Sequence, residues 1–276
     1  MNRVSIAQNT LEILEAGHYT APSGTQVNIT AEIRDCVDRT LYYDPETLSN
    51  IQQEILSSPA QCSTSLEVKR ETTLEGIQRL AGKFQKIGAL NFASATNPGG
   101  GFLNGAQAQE ESLARSSALY KSLLKGREYY DYHRANRSTF YSDRMIYSPN
   151  CPVFKDDNGN LLDQPYFVDF ITSPAPNAGM IAKDRSNDVD KIEETLRVRG
   201  SKVLSLAVHQ NCDALILGAW GCGVFRNSPV MVAQMFADLL KGDFQGRFRF
   251  VSFSIYDSSK NQSVFSAFNQ QFESVA

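Results

Sequence analysis

The sequence predicts one α/β sandwich domain that is preceded by an N-terminal helical segment. From about residue 65 to residue 257, segments with strand and helix patterns alternate, and no Gly/Ser linker, charge block or internal repeat interrupts them. Two of the predicted strands are nearly continuous apolar runs, IGALNFASAT and CDALILGAW, as is typical of strands that helices cover on both faces. With 42% hydrophobic residues among 276, the chain has enough apolar side chains to bury such a core.

The N-terminal segment is predicted to be mainly helical. Apolar residues recur at nearly helical spacing over residues 5–16, and Gly17 follows as a C-cap. Turn residues and then alternating polar and apolar residues over 27–31 predict a hairpin or an edge strand. Residues 44–57 are predicted to be helical, with Pro45 in the first turn.

The predicted core begins with a strand over residues 66–69 and a helix that starts at Thr72 or Thr73. The apolar strand IGALNFASAT then leads into the glycine-rich run NPGGGFLNGAQAQEE. Helical periodicity over residues 111–126 predicts one helix that ends at Gly126.

The later part of the core continues this alternation. In chain order, we expect irregular structure over 129–142, two or three short strands over 145–173 with a turn at 157–159, a helix over 188–209 that is either continuous or interrupted at Gly200, a strand over 212–220, a helix over 230–240, a strand over 248–257, and a final helix from Gln262 or Ser263.

Composition excludes several classes of protein. The formal net charge is −3 and the basic residues are spread along the chain, so no surface for duplex nucleic acid is indicated. No apolar run reaches the ~18 residues of a membrane span, and the first residues lack a signal-peptide pattern. Five scattered cysteines predict reduced thiols rather than a disulfide framework or a zinc ribbon. We therefore expect a cytoplasmic protein without a membrane partner, and a monomer.

Three adjacent glycines, Gly99 to Gly101, follow a buried strand and precede a helix. Their backbone amides are free of side chains and lie at the positive end of a helix dipole, which favours contact with a phosphate. The alternative is a tight strand-to-helix turn. The dinucleotide fingerprint G-x-G-x-x-G fails because Asn104 occupies its sixth position, and the P-loop pattern fails because Ala106 and Gln107 stand where it requires Lys and Ser/Thr.

A pair of adjacent acids, Glu110 and Glu111, follows Gln109 at the predicted start of the next helix. They are either complements of the helix dipole or, beside a bound diphosphate, an acid pair. Repulsion from the diphosphate raises a carboxyl pKa whereas the helix N-terminus lowers it. A carboxyl group that stays neutral near pH 7 can protonate a leaving oxygen, as glycosidic cleavage requires.

A second glycine-rich segment, GAWGCGVFRN, follows the strand CDALILGAW. Gly221 and Gly223 leave its backbone open, and Phe225 offers a flat apolar face that either packs in the core or stacks on a ribose or base. Because ligands of open α/β sheets bind at the carboxyl ends of strands, we expect both glycine-rich segments to face one cleft. No H-E-x-x-H or G-x-S-x-G motif is present, and the three histidines are isolated.

The run NFASATNPGGGFLNGAQAQEESL resembles the signature of the poly(ADP-ribose) glycohydrolases, in which three glycines, six to eight residues and Gln-Glu-Glu follow one another. The segments TLEILEAGHYTAPSG, TSPAPNAG and LGAWGCGVFRNSP also resemble the compact bacterial-type branch of that family. The resemblance implies a three-layer α/β/α macrodomain with a central mixed sheet. It divides the chain into an N-terminal extension, residues 1–64, and a catalytic core, residues 65–276.

The resemblance also implies roles for single residues. Glu111 matches the catalytic acid, Glu110 the acid that positions the ribose by hydrogen bonds, and Gln109 its support. The substrate-binding positions are Gly99, Gly100 and Gly101 in the first diphosphate loop and Gly221, Cys222, Gly223, Val224 and Phe225 in the second. Asn97 is expected either to contact a ribose or to shape the turn before Pro98. No metal and no cofactor is implied.

The expected function is therefore hydrolysis of the ribose–ribose bonds of poly(ADP-ribose), mainly from chain ends, with release of ADP-ribose. Polymer or ADP-ribosylated proteins would be the substrate. One alternative is a macrodomain that binds ADP-ribose without hydrolysis, although such a domain does not need the paired acids. The others are a hydrolase of mono-ADP-ribosyl bonds and, more distantly, a signalling or structural protein that binds ATP or NAD.

Overall fold

The computed structural model describes residues 2–184 and 188–273 of the chain. The strands in those residues are β1 (His18–Thr20), β2 (Gln26–Asn28), β3 (Leu41–Tyr43), β4 (Ser65–Lys69), β5 (Ile87–Phe92), β6 (Met145–Lys155), β7 (Leu161–Ser173), β8 (Ala214–Leu217) and β9 (Phe250–Ser254). The helices are α1 (Arg3–Ala16), α2 (Thr30–Asp38), α3 (Pro45–Ser57), α4 (Thr73–Leu80), α5 (Gln109–Ser116), α6 (Leu119–Lys125), α7 (Arg127–Asn136), α8 (Ala178–Asp184), α9 (Lys191–His209), α10 (Pro229–Lys241) and α11 (Ser263–Glu273), with a 3₁₀ turn at Phe102–Asn104.

Within the described residues, seven strands form one mixed sheet in the order β3-β6-β7-β5-β8-β9-β4. Strands β7, β5, β8, β9 and β4 pair in parallel, and β6 runs antiparallel to both of its neighbours. Strands β1 and β2 form a separate hairpin. Five adjacent parallel strands therefore end at the same edge of the sheet, which we call the carboxyl edge.

Helices cover both faces of this sheet, as the apolar runs of the strands predict. On β8, Leu215 and Leu217 pack with one apolar cluster whereas Ala214 and Ile216 pack with the other, because alternate side chains of a strand point to opposite faces. The first cluster contains side chains of α3, α9, α10 and α11, and the second contains side chains of α2, α4, α5, α6 and α7. The predicted α/β/α arrangement with a mixed central sheet is confirmed.

The N-terminal residues pack tightly on this core. Helix α1 places Ala7 against Phe102 and Ala114 in a small apolar cluster. Strand β3 pairs with β6 at the edge of the main sheet, so a segment before residue 65 contributes a strand to that sheet. The division at residue 64 remains a prediction. No described helix has the length and apolar character that a membrane crossing requires.

The prediction of one helix over residues 111–126 is wrong. Two helices, α5 and α6, are separated at Ser117, whose backbone is extended (φ −147°, ψ 178°). Ser117 forms a β-bridge with Val153, and the neighbouring amide of Ala118 donates to Pro152 O at 3.0 Å. These tertiary bonds to β6 replace helical ones, so the helical periodicity of the sequence does not produce a continuous helix.

The prediction of irregular structure over residues 129–142 is also wrong in its first half. Helix α7 occupies Arg127–Asn136, and its buried face consists of Tyr129, Tyr130 and His133. These side chains carry polar atoms, so the sequence does not show a clear apolar stripe. Their burial in the structure shows that the helix is amphipathic.

Two smaller predictions also change. Residues 30 and 31 belong to α2 rather than to a strand. Residues 145–173 form two long strands, β6 and β7, and not short ones. Of the two alternatives for the helix that contains Gly200, the continuous one is confirmed. Helix α9 runs through Gly200, where a Cβ would lie 2.7 Å from Met235 Sδ of the neighbouring helix.

A buried ion cluster ties the loop that follows α7 to α9. Asp143 lies 3.0 Å from Arg199 Nε and 2.7 Å from Lys202 Nζ, and both cations are more than nine-tenths buried. Arg199 also donates to Pro174 O at 2.8 Å, just after β7. Burial raises the pKa of Asp143, but the charges and hydrogen bonds of the two cations hold it below its usual value. This cluster fixes two loops that leave β7 and α7.

We expect Asp143→Asn to lower the free energy of unfolding by about 3 kcal/mol, because two buried cations lose their counter-charge. Denaturant unfolding at pH 7 measures the change. Asp35→Asn is the matched control, since Asp35 pairs with Arg39 at the surface and its loss should cost less than about 1 kcal/mol. Equal losses for the two variants would contradict this account of the cluster.

Candidate active site

Three loops leave the carboxyl edge side by side. Residues 93–108 follow β5, residues 174–177 follow β7, and residues 218–228 follow β8. The Ala93 amide and the Trp220 Nε1–H both donate to Ser173 O, at 3.3 and 3.1 Å, so the three loops meet at the end of β7. The expected position of both glycine-rich segments at the ends of parallel strands is thus observed.

The first glycine-rich loop has a backbone that favours glycine. Gly99 and Gly100 have φ values of 69° and 61°, in the left-handed region. The amide of Gly100 donates to Asn97 O at 2.9 Å, which closes the turn. The next amide, that of Gly101, donates to Glu111 Oε1 at 3.0 Å, so this part of the loop faces the acid pair.

The two acids lie in the first turn of α5, directly against Gly100. A Cβ at residue 100 would fall on Glu111 Oε1 and would lie 3.3 Å from Glu110 Oε2. Glycine at residue 100 therefore leaves the space that the Glu111 carboxyl group occupies, close to that of Glu110. Glu110 is buried, with 3% of its surface exposed, whereas Glu111 is only half-buried and remains accessible.

Glu110 is held at the end of β5. Its Oε2 accepts the Ser94 amide at 2.7 Å, and its Oε1 accepts Asn91 Nδ2 at 3.2 Å. Burial raises the pKa of Glu110 to about 8; the hydrogen bonds from Ser94 and Asn91 oppose this rise, and the charge of Glu111 adds to it. The carboxyl group of Glu110 therefore stays largely neutral at pH 7.

Asn91 is a site residue that sequence reasoning missed. It is fully buried on β5, and its Nδ2 donates to Glu110 and to Thr172 Oγ1, at 3.2 and 3.1 Å. Its Oδ1 has no hydrogen-bond partner among the described residues. An asparagine inside the apolar run IGALNF was the available signal.

The side chain of Gln109 bonds to the end of β5, from which the first loop leaves. Its Oε1 accepts the Phe92 amide at 2.8 Å, and its Nε2 donates to Leu90 O at 2.8 Å and to Thr73 Oγ1 at 3.1 Å. The side chain thus joins α5 to the end of β5 and to the start of α4. This geometry suits a supporting residue rather than one that contacts a ligand.

Asn97 lies on the exposed side of the first loop. Its amide donates to Ser94 Oγ at 3.1 Å, and its carbonyl accepts the amide of Gly100. Both contacts are made by its backbone, so Asn97 shapes the turn in the structure and its side chain remains exposed.

In the second glycine-rich loop, glycine is required at Gly221 for a different reason. Its φ is 72°, and a Cβ there would lie 2.5 Å from Ala175 Cβ and would also meet the side chain of Asn227. Around Gly223 the space is open, and Val224 is 77% exposed. Burial raises the pKa of Cys222 to about 12, which keeps this thiol protonated. The loop therefore combines a packed beginning with an accessible tip.

Phe225 forms an aromatic pair with Tyr141, a residue that sequence reasoning missed. The ring centroids are 5.8 Å apart and the rings are tilted by 38°. Tyr141 has a φ of 57° and lies in the loop after α7, for which the sequence offered no signal. Phe225 thus contacts this aromatic neighbour at the rim, although it also packs partly on the core.

His133 holds the Tyr141 loop in place as a neutral side chain. Its Nδ1 donates to Tyr129 O (2.8 Å), and its Nε2 accepts the Ser142 amide (3.2 Å). Burial and the charges of Arg199 and Arg144 lower the pKa of His133 to about 4, whereas the hydrogen bond to Tyr129 O opposes this decrease.

The described residues contain no group of three or more His, Cys, Asp or Glu side chains that could hold a metal.

The raised pKa of Glu110 makes folding stability depend on pH. An acid whose pKa is about 8 when folded and 4.5 when unfolded binds its proton more tightly in the folded state. The contribution of this proton to the free energy of unfolding is complete below pH 4.5. It is lost as the pH rises towards 8, by at most about 1.4 kcal/mol per pH unit.

We expect this dependence to be missing in Glu110→Gln. The difference in unfolding free energy between wild type and Glu110→Gln, measured in denaturant from pH 5 to pH 8.5, should fall as the pH rises. Titrating groups that do not interact with Glu110 cancel in the difference. A pH-independent difference would show that Glu110 is ionised in the folded protein throughout this range.

Comparison with known proteins places this site in a family. Residues 7–156 match the family described as microbial-type PARG, catalytic domain, where PARG stands for poly(ADP-ribose) glycohydrolase. The comparison with curated proteins found no match.

Solved structures resemble the whole chain. The poly(ADP-ribose) glycohydrolase of Thermomonospora curvata is 47% identical; the alignment covers 98% of this chain and 99% of that chain, with a TM-score of 0.94. The same enzyme bound to the inhibitor ADP-HPD gives a TM-score of 0.91. The Deinococcus radiodurans enzyme in complex with ADP-ribose is 43% identical over 88% of this chain and 98% of that chain, with a TM-score of 0.86. The matched family and these full-length similarities show that the chain belongs to the microbial-type poly(ADP-ribose) glycohydrolases.

Proposed function

We propose that this protein hydrolyses the ribose–ribose O-glycosidic bonds of poly(ADP-ribose) and releases ADP-ribose. The observation that carries the proposal is the acid pair that packs on Gly100, with one carboxyl group buried and the other accessible. The family membership and the similarity to enzymes crystallised with ADP-ribose support the same activity.

In the proposed mechanism, Glu111 is the general acid. It is the accessible member of the pair, and its carboxylate already accepts a hydrogen bond from the loop amide of Gly101. When substrate displaces that contact, Glu111 takes up a proton from solvent beside the diphosphate and gives it to the ribose oxygen that leaves as the bond breaks. The resulting carboxylate then deprotonates the incoming water, and the neighbouring diphosphate stabilises the oxocarbenium-like ribose.

Glu110 positions the ribose beside Glu111. A neutral carboxyl group both donates and accepts hydrogen bonds, so it can bind a ribose hydroxyl without adding a second negative charge next to the diphosphate. The fixed contacts to Ser94 and Asn91 restrict the rotation of this side chain. Asn91 thus acts through Glu110 as a positioning residue.

The two glycine-rich loops bind the diphosphate in this proposal. The backbone of Gly99 to Gly101 lies next to the acid pair, and the Gly101 amide becomes available when substrate displaces Glu111 from it. The open backbone around Gly223 lies on the loop from the neighbouring strand β8. Phe225 offers its ring to the ribose or adenine, with Val224 exposed beside it. Cys222 contributes its backbone in this proposal, and burial keeps its thiol protonated.

We further propose a monomeric macrodomain enzyme of the cytoplasm that acts mainly at chain ends and uses no metal or cofactor. The five cysteines are free thiols, which fits a reducing compartment. Acid–base chemistry by two carboxyl groups is sufficient for glycosidic cleavage. The molar mass from light scattering tests whether the protein is a monomer. The lengths of the products released from polymer test whether it attacks chain ends.

We expect Glu111→Gln to reduce release of ADP-ribose from labelled poly(ADP-ribose) by about 10² to 10⁴ fold, because the substitution removes the general acid and base. Binding of free ADP-ribose, measured by calorimetry, should persist, since the amide has nearly the same shape. Full turnover by the variant would remove Glu111 from the mechanism.

Two other functions would give different results with the same proteins. A protein that binds ADP-ribose but releases none from polymer would be a reader. Release only from proteins that carry a single ADP-ribose would indicate a mono-ADP-ribosyl hydrolase.

We expect Gly100→Ala to lower the activity at least about 100-fold, because the new methyl group displaces the Glu111 carboxyl group and crowds that of Glu110. Gly82→Ala is the matched control. Gly82 also has a positive φ, 75°, but a Cβ there meets no atom within 4 Å. Both variants should lose about 1 kcal/mol of unfolding free energy through backbone strain. Similar activity in the two would mean that the approach of the acids to Gly100 is unimportant.

A further inference from the structure

The charge of the two glycine-rich loops is unusual for a site that holds a diphosphate. Residues 93–108 contain no charged side chain, and residues 218–228 contain one, Arg226. Of the neighbouring acids, Glu110 is largely neutral at pH 7 and supplies no positive charge, and Glu111 repels an anion unless it is protonated. Arg226 is therefore the only full positive charge that these two loops supply.

The backbone of Arg226 adopts a conformation that arginine rarely takes. Its φ is 59°, in the left-handed region, where a residue with a side chain is under strain. The amide of Arg226 donates to Gly223 O at 3.0 Å. Asn227, which follows it, is buried, and its Nδ2 donates to Pro176 O and Gly221 O at 2.9 and 3.1 Å. The loop is thus fixed on both sides of Arg226, which imposes the strained conformation.

The side chain of Arg226 crosses the start of α8. A Cβ at Gly179 would lie 3.0 Å from Arg226 Cδ and 3.5 Å from its Cγ, so glycine leaves the space that the arginine stem fills. The Gly179 amide donates to Phe225 O at 3.0 Å, which holds the two segments together. The stem is therefore confined, and its position is set by packing.

The guanidinium of Arg226 has no acidic partner among the described residues. Neither an ion pair nor a side-chain hydrogen bond joins it to residues 2–184 or 188–273, and the residue is exposed. Two other arginines have partners in the described residues: Arg199 pairs with Asp143, and Arg134 donates to Thr96 O. Arg226 thus combines a confined stem and strained backbone with five uncommitted N–H donors.

We propose that Arg226 binds a phosphate of the diphosphate in the terminal ADP-ribose unit. The assignment rests on the proposed function, because that function places a diphosphate between the two loops. Arginine suits this task, since its planar guanidinium can donate two parallel hydrogen bonds to phosphate oxygens. Arg226 is a binding residue in this assignment, and it does not touch the reacting bond.

Arg226→Asn separates this role from a structural one. Asparagine tolerates the left-handed backbone better than arginine does, so the variant should be at least as stable as wild type. We expect its Kd for ADP-ribose, measured by calorimetry, to rise about tenfold, and its binding of adenosine to stay unchanged. The KM for polymer should rise by a similar factor, with kcat within about twofold of the wild-type value. Arg226→Lys should restore part of the affinity.

Arg137→Asn is the matched control. Arg137 is also an exposed arginine with a positive φ, 36°, and it lies outside both glycine-rich loops. Its substitution should leave ADP-ribose binding unchanged. Equal losses in the two variants would mean that the general field of the protein, rather than a specific contact, attracts the ligand.

Other outcomes would also overturn the assignment. A Kd for ADP-ribose within twofold of the wild-type value would exclude the contact, and an equal loss of adenosine binding would indicate a distorted loop. Weaker binding of polymer alone would move the contact to the next unit. If wild type binds ADP-ribose without hydrolysing polymer, the proposed function fails while the binding comparison still decides the role of Arg226. If wild type binds no ADP-ribose, both fail.

Discussion

The burial of the Glu110 carboxyl group at the end of β5 constrains the whole site. A carboxylate that is removed from water is costly, and two donors, the Ser94 amide and Asn91 Nδ2, only partly offset that cost. The group therefore keeps its proton, with a pKa raised to about 8 by burial. Once Glu110 is neutral, Glu111 can lie beside it without strong repulsion, and both can press against Gly100. The glycine at residue 100 leaves the space that this contact requires.

The same constraint divides the work between two adjacent residues on one helix. Successive side chains of a helix point about 100° apart, so one of two neighbours can face the sheet while the other faces the loop. Glu110 takes the inner position and Glu111 the outer one. The two side chains therefore lie in different environments. In the proposed mechanism, the neutral Glu110 orients the ribose and the accessible Glu111 transfers the proton.

How much the sequence predicts depends on whether a pattern is local. The glycine runs, the apolar strands and the Gln-Glu-Glu motif are local, and they predict the sheet, its carboxyl edge and the acid pair. The break at Ser117 depends on a bridge to Val153, and the pair of Tyr141 with Phe225 joins two distant loops. Neither contact leaves a local pattern. Helix α7 was missed because its buried face consists of Tyr129, Tyr130 and His133, whose polar atoms hide the periodicity.

Helix α1 supports the helix that carries the acid pair, although the two are far apart in the sequence. Lys155 Nζ, which is buried, donates to Thr10 Oγ1 at 2.8 Å, and Thr10 also bonds to Arg115 O at the end of α5. Arg115 in turn donates to Ala106 O at 2.7 Å, in the segment that leads into α5. Helix α5 is thus clamped at its end by α1 and at its start by its own arginine. Because an orientation error of the acids would weaken proton transfer, such a clamp helps to explain why a core strand keeps a buried lysine.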